Sequence, residues 1–324
     1  MNKRSAILAT VLSALLWAPM PVLAQAYPAK PIRLIIPYAP GGVTDVISRA
    51  IANKMGEHLK QTIVVENRTG AGGNIGTDLV AKAAPDGYTL GIGTNGPLAA
   101  NKTLYAKLAY EPEKDFTPVT LLFTVPYAIV VHPTLGVDNV AGLIALLQTN
   151  PGKYSFAHGG VGTAAHFAGQ RFVSMANVQA AGVGYKGEAP AVADVLGGHV
   201  PIGVASFSSL LPHVKSGRLR ALAVTSKQRS ALVPNVPTVA ESGLTGYEIE
   251  PWFGLVGPAG IPVEIVQKIH AAAIASLKSP EVASAVAGIG GSVVGNAPTD
   301  FGAFIRTEGP RWGALVKEAG VKAD

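Results

Sequence analysis

Two glycine-rich stretches hold the residues whose types and spacing could do chemistry. The first runs Ile32-Arg-Leu-Ile-Ile-Pro-Tyr-Ala-Pro-Gly-Gly-Val-Thr-Asp45, the second Gly159-Gly-Val-Gly-Thr-Ala-Ala-His166. In the first, Ile32 to Ile36 reads as a buried strand and Pro37 to Gly42 forces a turn. From there Val43, Val46, Ile47, Ala50, Ile51, Met55 and Leu59 recur at helical spacing. A strand that feeds a glycine turn opening onto a helix gathers unpaired N–H groups and the positive end of the helix dipole at one point. Such a point holds an anion without any basic side chain. The alternative is that the glycines only allow tight strand–helix packing. Thr44 and Thr163 stand at the two helix starts, where a hydroxyl either satisfies backbone donors or reaches a ligand; the two roles are compatible. Asp45 reads as a first-turn residue complementing the dipole, since a bare carboxylate would repel an anion.

Catalytic readings fare worse. Gly160-Val-Gly-Thr-Ala-Ala165 fits a loose G-x-G-x-x-A dinucleotide pattern, but Asn177 to Ala181, where the ribose-binding acid belongs, is neutral. There is no G-x-S-x-G elbow, no H-E-x-x-H and no P-loop, and the seven histidines lack metal spacing. With no cysteine in the chain, thiolate metal sites and disulfides are excluded. Capture of an anion without chemistry on it, and without a cofactor or metal, is the expectation.

The elements that position these turns follow from the pattern of the rest. Lys3 and Arg4, the apolar run Ala6 to Trp17 and Ala24-Gln25-Ala26 form a signal peptide over 1–26, cleaved near Ala26; the alternative is an uncleaved anchor. A mature chain from Tyr27 in the periplasm suits a large cysteine-free core. Charged residues are 14%, against roughly 25% in ordinary soluble domains. The net charge of +6 is spread without a Lys/Arg stripe, so no nucleic-acid partner is expected. After the first helix, strands at Thr62 to Val65 and Tyr88 to Gly93 flank a helix at Thr77 to Ala83, a β-α-β-α-β order that predicts a parallel sheet. Pro118 to Val131 is a long apolar run that crosses to a second lobe. There, helices at Val140 to Gln148, after Thr163 and at Ala189 to Leu196 alternate with strands at Tyr154 to Ala157, Gln179 to Gly184, Pro201 to Ala205 and Leu219 to Thr225. Trp252 to Val256 crosses back, a helix opens at Pro262, and Gly309-Pro310 predicts a kink or two short helices within Asp300 to Glu318. The predicted fold is α/β: two lobes, each a mostly parallel sheet flanked by helices, with 27–124 plus 250–324 as the first and 125–249 as the second.

The ordered motifs are Pro37 to Asp45, Asn67-Arg-Thr-Gly-Ala-Gly-Gly-Asn-Ile-Gly76, Pro85-Asp-Gly-Tyr88, Gly160-Val-Gly-Thr163 with His166, Tyr185-Lys-Gly187 with Pro190, Asp194, Gly197 and Gly198, Pro237-Thr-Val-Ala-Glu-Ser-Gly243, and Trp252-Phe-Gly-Leu-Val-Gly-Pro258. In that order, over essentially the whole mature chain, they resemble the Bug, or TctC-like, substrate-binding proteins of tripartite tricarboxylate transporters. The resemblance implies a periplasmic-binding-protein type II flytrap that closes on a small carboxylate, acts as a monomer and docks on a two-subunit membrane permease. It sets Tyr38, Ala39, Gly41, Gly42 and Thr44 across a cleft from His158, Gly160, Gly162 and Thr163. His158 departs from the small hydroxyl residue more usual there; it either donates to a carboxylate or faces solvent on a loop. His166 matches the family, as a ligand contact or as a capping or packing residue.

Asn74 and Thr94-Asn95 follow the second and third strands, where ligands gather at carboxyl ends of parallel sheets, though Asn74 equally suits a turn. Tyr185 walls the cleft, Lys186 is a solvated charge, Ser206 adds polar lining, and Asp194 bonds backbone near Gly197. Two rival functions remain at this level: a periplasmic sensor presenting a carboxylate to a membrane receptor, and an exported hydrolase. Dicarboxylates, tricarboxylates, acidic amino acids and aromatic acids are all open as ligands.

Overall fold

The run Ile32–Ile36 forms β1 and is buried at every position but Arg33. A strand covered on both faces belongs inside a sheet, and β1 lies between β2 (Ile63–Asn67) and β3 (Thr89–Thr94), parallel to both. Arg33 is accommodated because Glu66 meets its guanidinium at 2.8 and 3.1 Å. Arg33 and then Arg68 hold the Glu66 carboxyl down at about 2. In this computed structural model residues 27–323 are described, so the leader expected over 1–26 lies outside the described residues.

The turn through Pro37–Gly42 opens α1 (Val43–Leu59), whose Ile47, Ile51 and Met55 are almost wholly covered. Val266, Ile269 and Ala273 from a later helix belong to the same core cluster. Burying each such large side chain contributes about 1.5–3 kcal/mol. After β2, one tight turn at Ala71–Gly73 leads into α2 (Asn74–Ala81). This helix starts three residues before the predicted Thr77, because the left-handed Gly70, Gly72 and Gly73 compress the loop. Asn74 is therefore a first-turn helical residue rather than a turn residue. Beyond β3 the chain coils through Gly96–Ala100 and Asn101–Leu104.

The apolar crossing run is split at Val125-Pro126 into β4 (Phe116–Thr124) and β5 (Tyr127–Val131). There follow α3 (Val140–Thr149), β6 (Ser155–His158), α4 (Ala164–Met175), β7 (Ala181–Gly184), α5 (Glu188–Leu196), β8 (Ile202–Ser206), α6 (Phe207–Lys215) and β9 (Arg220–Val224). β10 (Trp252–Pro258) returns to the first sheet, followed by α7 (Val263–Leu277), α8 (Pro280–Gly288), β11 (Ser292–Val293) and α9 (Pro298–Ala319). The sheets run β11-β4-β10-β3-β1-β2 and β7-β6-β8-β5-β9. Both are mixed, not mostly parallel. β10 is antiparallel to β3 and β4, and β5 to β8 and β9.

The end of the chain also departs from expectation. α9 runs unbroken through Gly309-Pro310, not as two short helices. Residues on both sides of the proline are anchored: the Glu308 carboxylate accepts from the indoles of Trp252 at 2.8 Å and Trp312 at 2.6 Å, and Arg311 reaches Glu308 at 2.8 Å and the Glu248 carbonyl at 2.7 Å. α9 also packs on α4 of the second lobe, with Trp312 edge-on to Phe167 at 5.8 Å and Arg171 paired to Glu318 at 2.7 Å. The lobes are thus joined by a helix contact as well as by two strand crossings.

Candidate functional site

At the start of α1, Gly41 takes a left-handed φ of 84° and Gly42 an extended one, and no side chain caps the helix. Asp45 is buried and turned back into the loop. It accepts from the Gly41 N–H at 2.9 Å, from Arg49 at 2.9 Å and from Asn67 at 2.9 Å. Burial alone would raise its carboxyl, but those bonds outweigh it and hold it below the usual range. The Gly41 donor is thereby spent internally. The N–H groups of the first helical turn have no intrahelical partner, and Thr44 in that turn is 8% exposed.

The start of α4 is built similarly. Thr163 caps it, accepting from the His166 N–H at 3.3 Å while its hydroxyl donates to the Gly160 carbonyl at 2.7 Å. Gly160 and Gly162 are both left-handed. His158 ends β6 and is 1% exposed, so it is not a solvent-facing loop histidine. Its Nδ1 donates to the Gly160 carbonyl at 2.9 Å, which leaves Nε2 buried without a partner. The ring stacks on His166 at 4.4 Å, and His166 Nδ1 accepts from the Gly162 N–H at 3.3 Å. Burial pushes both imidazoles down, His166 to about 4 with His158 adding to the shift. Both are neutral near pH 7 and brace the loop through Gly160 and Gly162.

The two helix starts border one cavity of about 250 Å³. Tyr38, Thr44, Thr94 and Asn95 line it from the first lobe, and Val161, Gly162, Thr163 and Ala164 from the second. Tyr127 of β5 and Phe253 of β10 add walls from the crossing strands. The Tyr38 and Thr94 hydroxyls lie 2.9 Å apart, and burial raises the Tyr38 phenol, which stays a neutral donor. No lysine, arginine, histidine or carboxylate is among the lining residues. Another cavity, near the lobe crossings, is of a different kind: Lys227, Arg229, Glu248 and Glu250 border it, and Arg229 is already paired with Glu241.

Of the residues singled out from sequence, Tyr38, Thr44, Thr94, Asn95, Gly162 and Thr163 line the cavity. Ala39, Gly41, Gly42 and Gly160 belong to its loops but not to its lining. His158 and His166 bond to the Gly160–Thr163 loop and are not among the lining residues. Three others are committed elsewhere. Asn74 accepts from Asn101 at 2.6 Å and Tyr110 at 2.9 Å. The Tyr185 hydroxyl donates to the Asp194 carboxylate, and among the described residues no backbone N–H near Gly197 does so. The Ser206 hydroxyl donates to Glu188 at 2.6 Å. Tyr105, Tyr127, Leu104 and Phe253 line the cavity without having been singled out. Phe253 belongs to the Trp252–Pro258 motif and Tyr127 to the other crossing run, whereas Leu104 and Tyr105, at the far end of the coil that follows β3, carry no sequence signal.

A family model described as the tripartite tricarboxylate transporter family receptor, TctC, matches residues 47–321. The chain belongs to this family. BugT of Bordetella pertussis is 39% identical over 303 residues, covering 93% of each chain. Among solved structures, R. palustris Rpa4515 with adipate is 35% identical with a TM-score of 0.82, covering 91% of this chain and 99% of that one. MatC from Rhodopseudomonas palustris with bound malate is 31% identical with a TM-score of 0.78, covering 90% and 100%. The Bug/TctC family is one of periplasmic solute-binding proteins, and the two-lobe α/β arrangement here is theirs.

Proposed function

We propose that this Bug/TctC protein is exported by the 1–26 leader, captures a small carboxylate between its lobes and delivers it to a two-subunit permease. The observation that carries this reading is the meeting of two helix N-termini, from α1 and α4, at one cavity without cationic side chains. Helix starts with unpaired first-turn N–H groups suit an anion, and a carboxylate has oxygens for several donors. Hydrogen bonds to a charged acceptor contribute about 1.5–3 kcal/mol each, so four or five offset the ordering of closure and leave micromolar affinity, about −8 kcal/mol. Adipate and malate in the two neighbours support the ligand class. In this reading 27–124 with 250–324 forms one jaw and 125–249 the other. Tyr38, Thr44, Thr94, Gly162 and Thr163 touch the ligand. The remaining loop residues and the His158–His166 pair shape its bed.

A thermal-shift panel on 27–324, unfolded and refolded to remove bound ligand, tests this with mono-, di- and tricarboxylates, acidic amino acids and neutral analogues. A ligand at about 100 times its dissociation constant adds about 2.7 kcal/mol. Shifts confined to acids are expected; shifts with neutral analogues alone would overturn the reading. Copurification with the permease subunits in ligand tests delivery.

A further inference from the structure

The cavity walls narrow the class of acid. Four lining residues, Tyr38, Tyr105, Tyr127 and Phe253, are aromatic in a chain that is 6% aromatic, and Leu104 and Val161 add aliphatic surface. The rings are held in place. Phe253 stacks on Phe123 at 4.5 Å and 13°, and Tyr38 is tied to Thr94. Burial raises the phenols of Tyr38, Tyr105 and Tyr127, so none becomes an anion near neutral pH. After burial, the charge of Glu188 is the next cause of the Tyr127 shift. Glu188 is itself held by the Ser206 N–H at 3.2 Å and the Ser209 hydroxyl at 2.9 Å.

A second ionised head among these rings would lose its water with no cationic side chain to receive it, which is unfavourable. A flat apolar body fits the same walls, since aromatic rings pack edge-to-face or offset against one another. We propose that the ligand is a monocyclic aromatic monocarboxylate, its carboxylate at the two helix starts and its ring among Tyr105, Tyr127 and Phe253. The proposal rests on the carboxylate-capture reading and specifies its substrate.

The test is isothermal titration of refolded 27–324 with benzoate, nicotinate, adipate, malate and citrate. Benzoate or nicotinate is expected to bind at least tenfold tighter than the other three. If adipate, malate or citrate binds equally well or better, the aromatic assignment falls and carboxylate capture stands. If no acid binds to folded protein, both fall. Phe253→Leu keeps an apolar side chain on β10, and Tyr105→Leu alters a partly exposed site. Each is expected to weaken the ring acid about tenfold; unchanged affinity in both, with folding verified by circular dichroism, would also overturn the assignment.

Discussion

At the scale of single residues, the sequence located the two helix starts but not which donors are free. Gly41 and Gly162 read as anion donors, yet each N–H is already bound, to Asp45 and to His166. Only side-chain direction, which spacing does not encode, turns those bonds inward. Gly42 offers a clean test. Its φ is −77°, and an added Cβ would meet nothing nearer than the Ala39 carbonyl at 3.9 Å. Gly42→Val is therefore expected to fold normally while crowding the start of α1, weakening ligand at least about tenfold, or 1.4 kcal/mol. Full affinity by titration would remove the first loop from the site. The histidine pair predicts a pH dependence. The folded-state pKa of His166, about 4, lies below the usual 6.5, so the unfolded chain binds the proton first. Stability is thus fully present above about pH 6.5 and declines as pH falls towards 4, by at most about 3 kcal/mol. His158 shifts in the same direction. Urea midpoints between pH 7 and 4.5 measure the slope, and His166→Asn should flatten it. Glu66 acts in a separate window, from about 4.5 down to about 2, where the unfolded chain takes the proton first and the contribution of this ion pair is lost as pH falls.

At the scale of elements, strands were legible wherever apolar runs were bounded by turn residues, as in β1 between Lys30-Pro31 and Pro37. α8 passed unread although Ser279-Pro280-Glu281 is a helix start, and Ser279 does cap it, accepting from the Val282 N–H at 3.3 Å. α6 was hidden by Pro212 inside it and by the serines that open it. The continuity of α9 could not be read, because it depends on tertiary anchors. The missing donor and ring clash at an interior proline cost about 3 kcal/mol, and the Glu308 network on either side of Pro310 offsets that. Glu308→Ala would leave the Trp252 and Trp312 indole donors without their acceptor, each worth about 1–3 kcal/mol when buried. A loss of about 3 kcal/mol or more in urea unfolding is expected, with a smaller loss for Glu308→Gln, which keeps an acceptor oxygen. Equal, small effects for both would show that packing of the indoles, not their bonding, carries the helix past the proline.

At the scale of the whole molecule, capture requires that the ligand bind the closed arrangement better than the open one. Gly162 faces the first lobe, and a Cβ added to it would stand 2.7 Å from Leu104 Cδ2. A side chain there meets Leu104 of the first lobe, whose side chain must shift to admit it. Gly162 is also left-handed at φ 79°, which costs a non-glycine residue about 1–2 kcal/mol on its own. Gly162→Ala therefore acts through two distinct routes, backbone strain within the loop and obstruction between lobes. Leu104→Ala in the same chain separates them, because it removes Cδ2 and leaves the loop backbone untouched. Gly162→Ala is expected to weaken ligand at least about tenfold, and the added Leu104→Ala to restore part of that affinity. Small-angle scattering should show the single variant staying more extended at saturating ligand, and the double variant contracting. Restored contraction with restored affinity assigns the defect to closure. If neither returns, strain in the loop accounts for the loss and the Gly162–Leu104 contact does not limit closure.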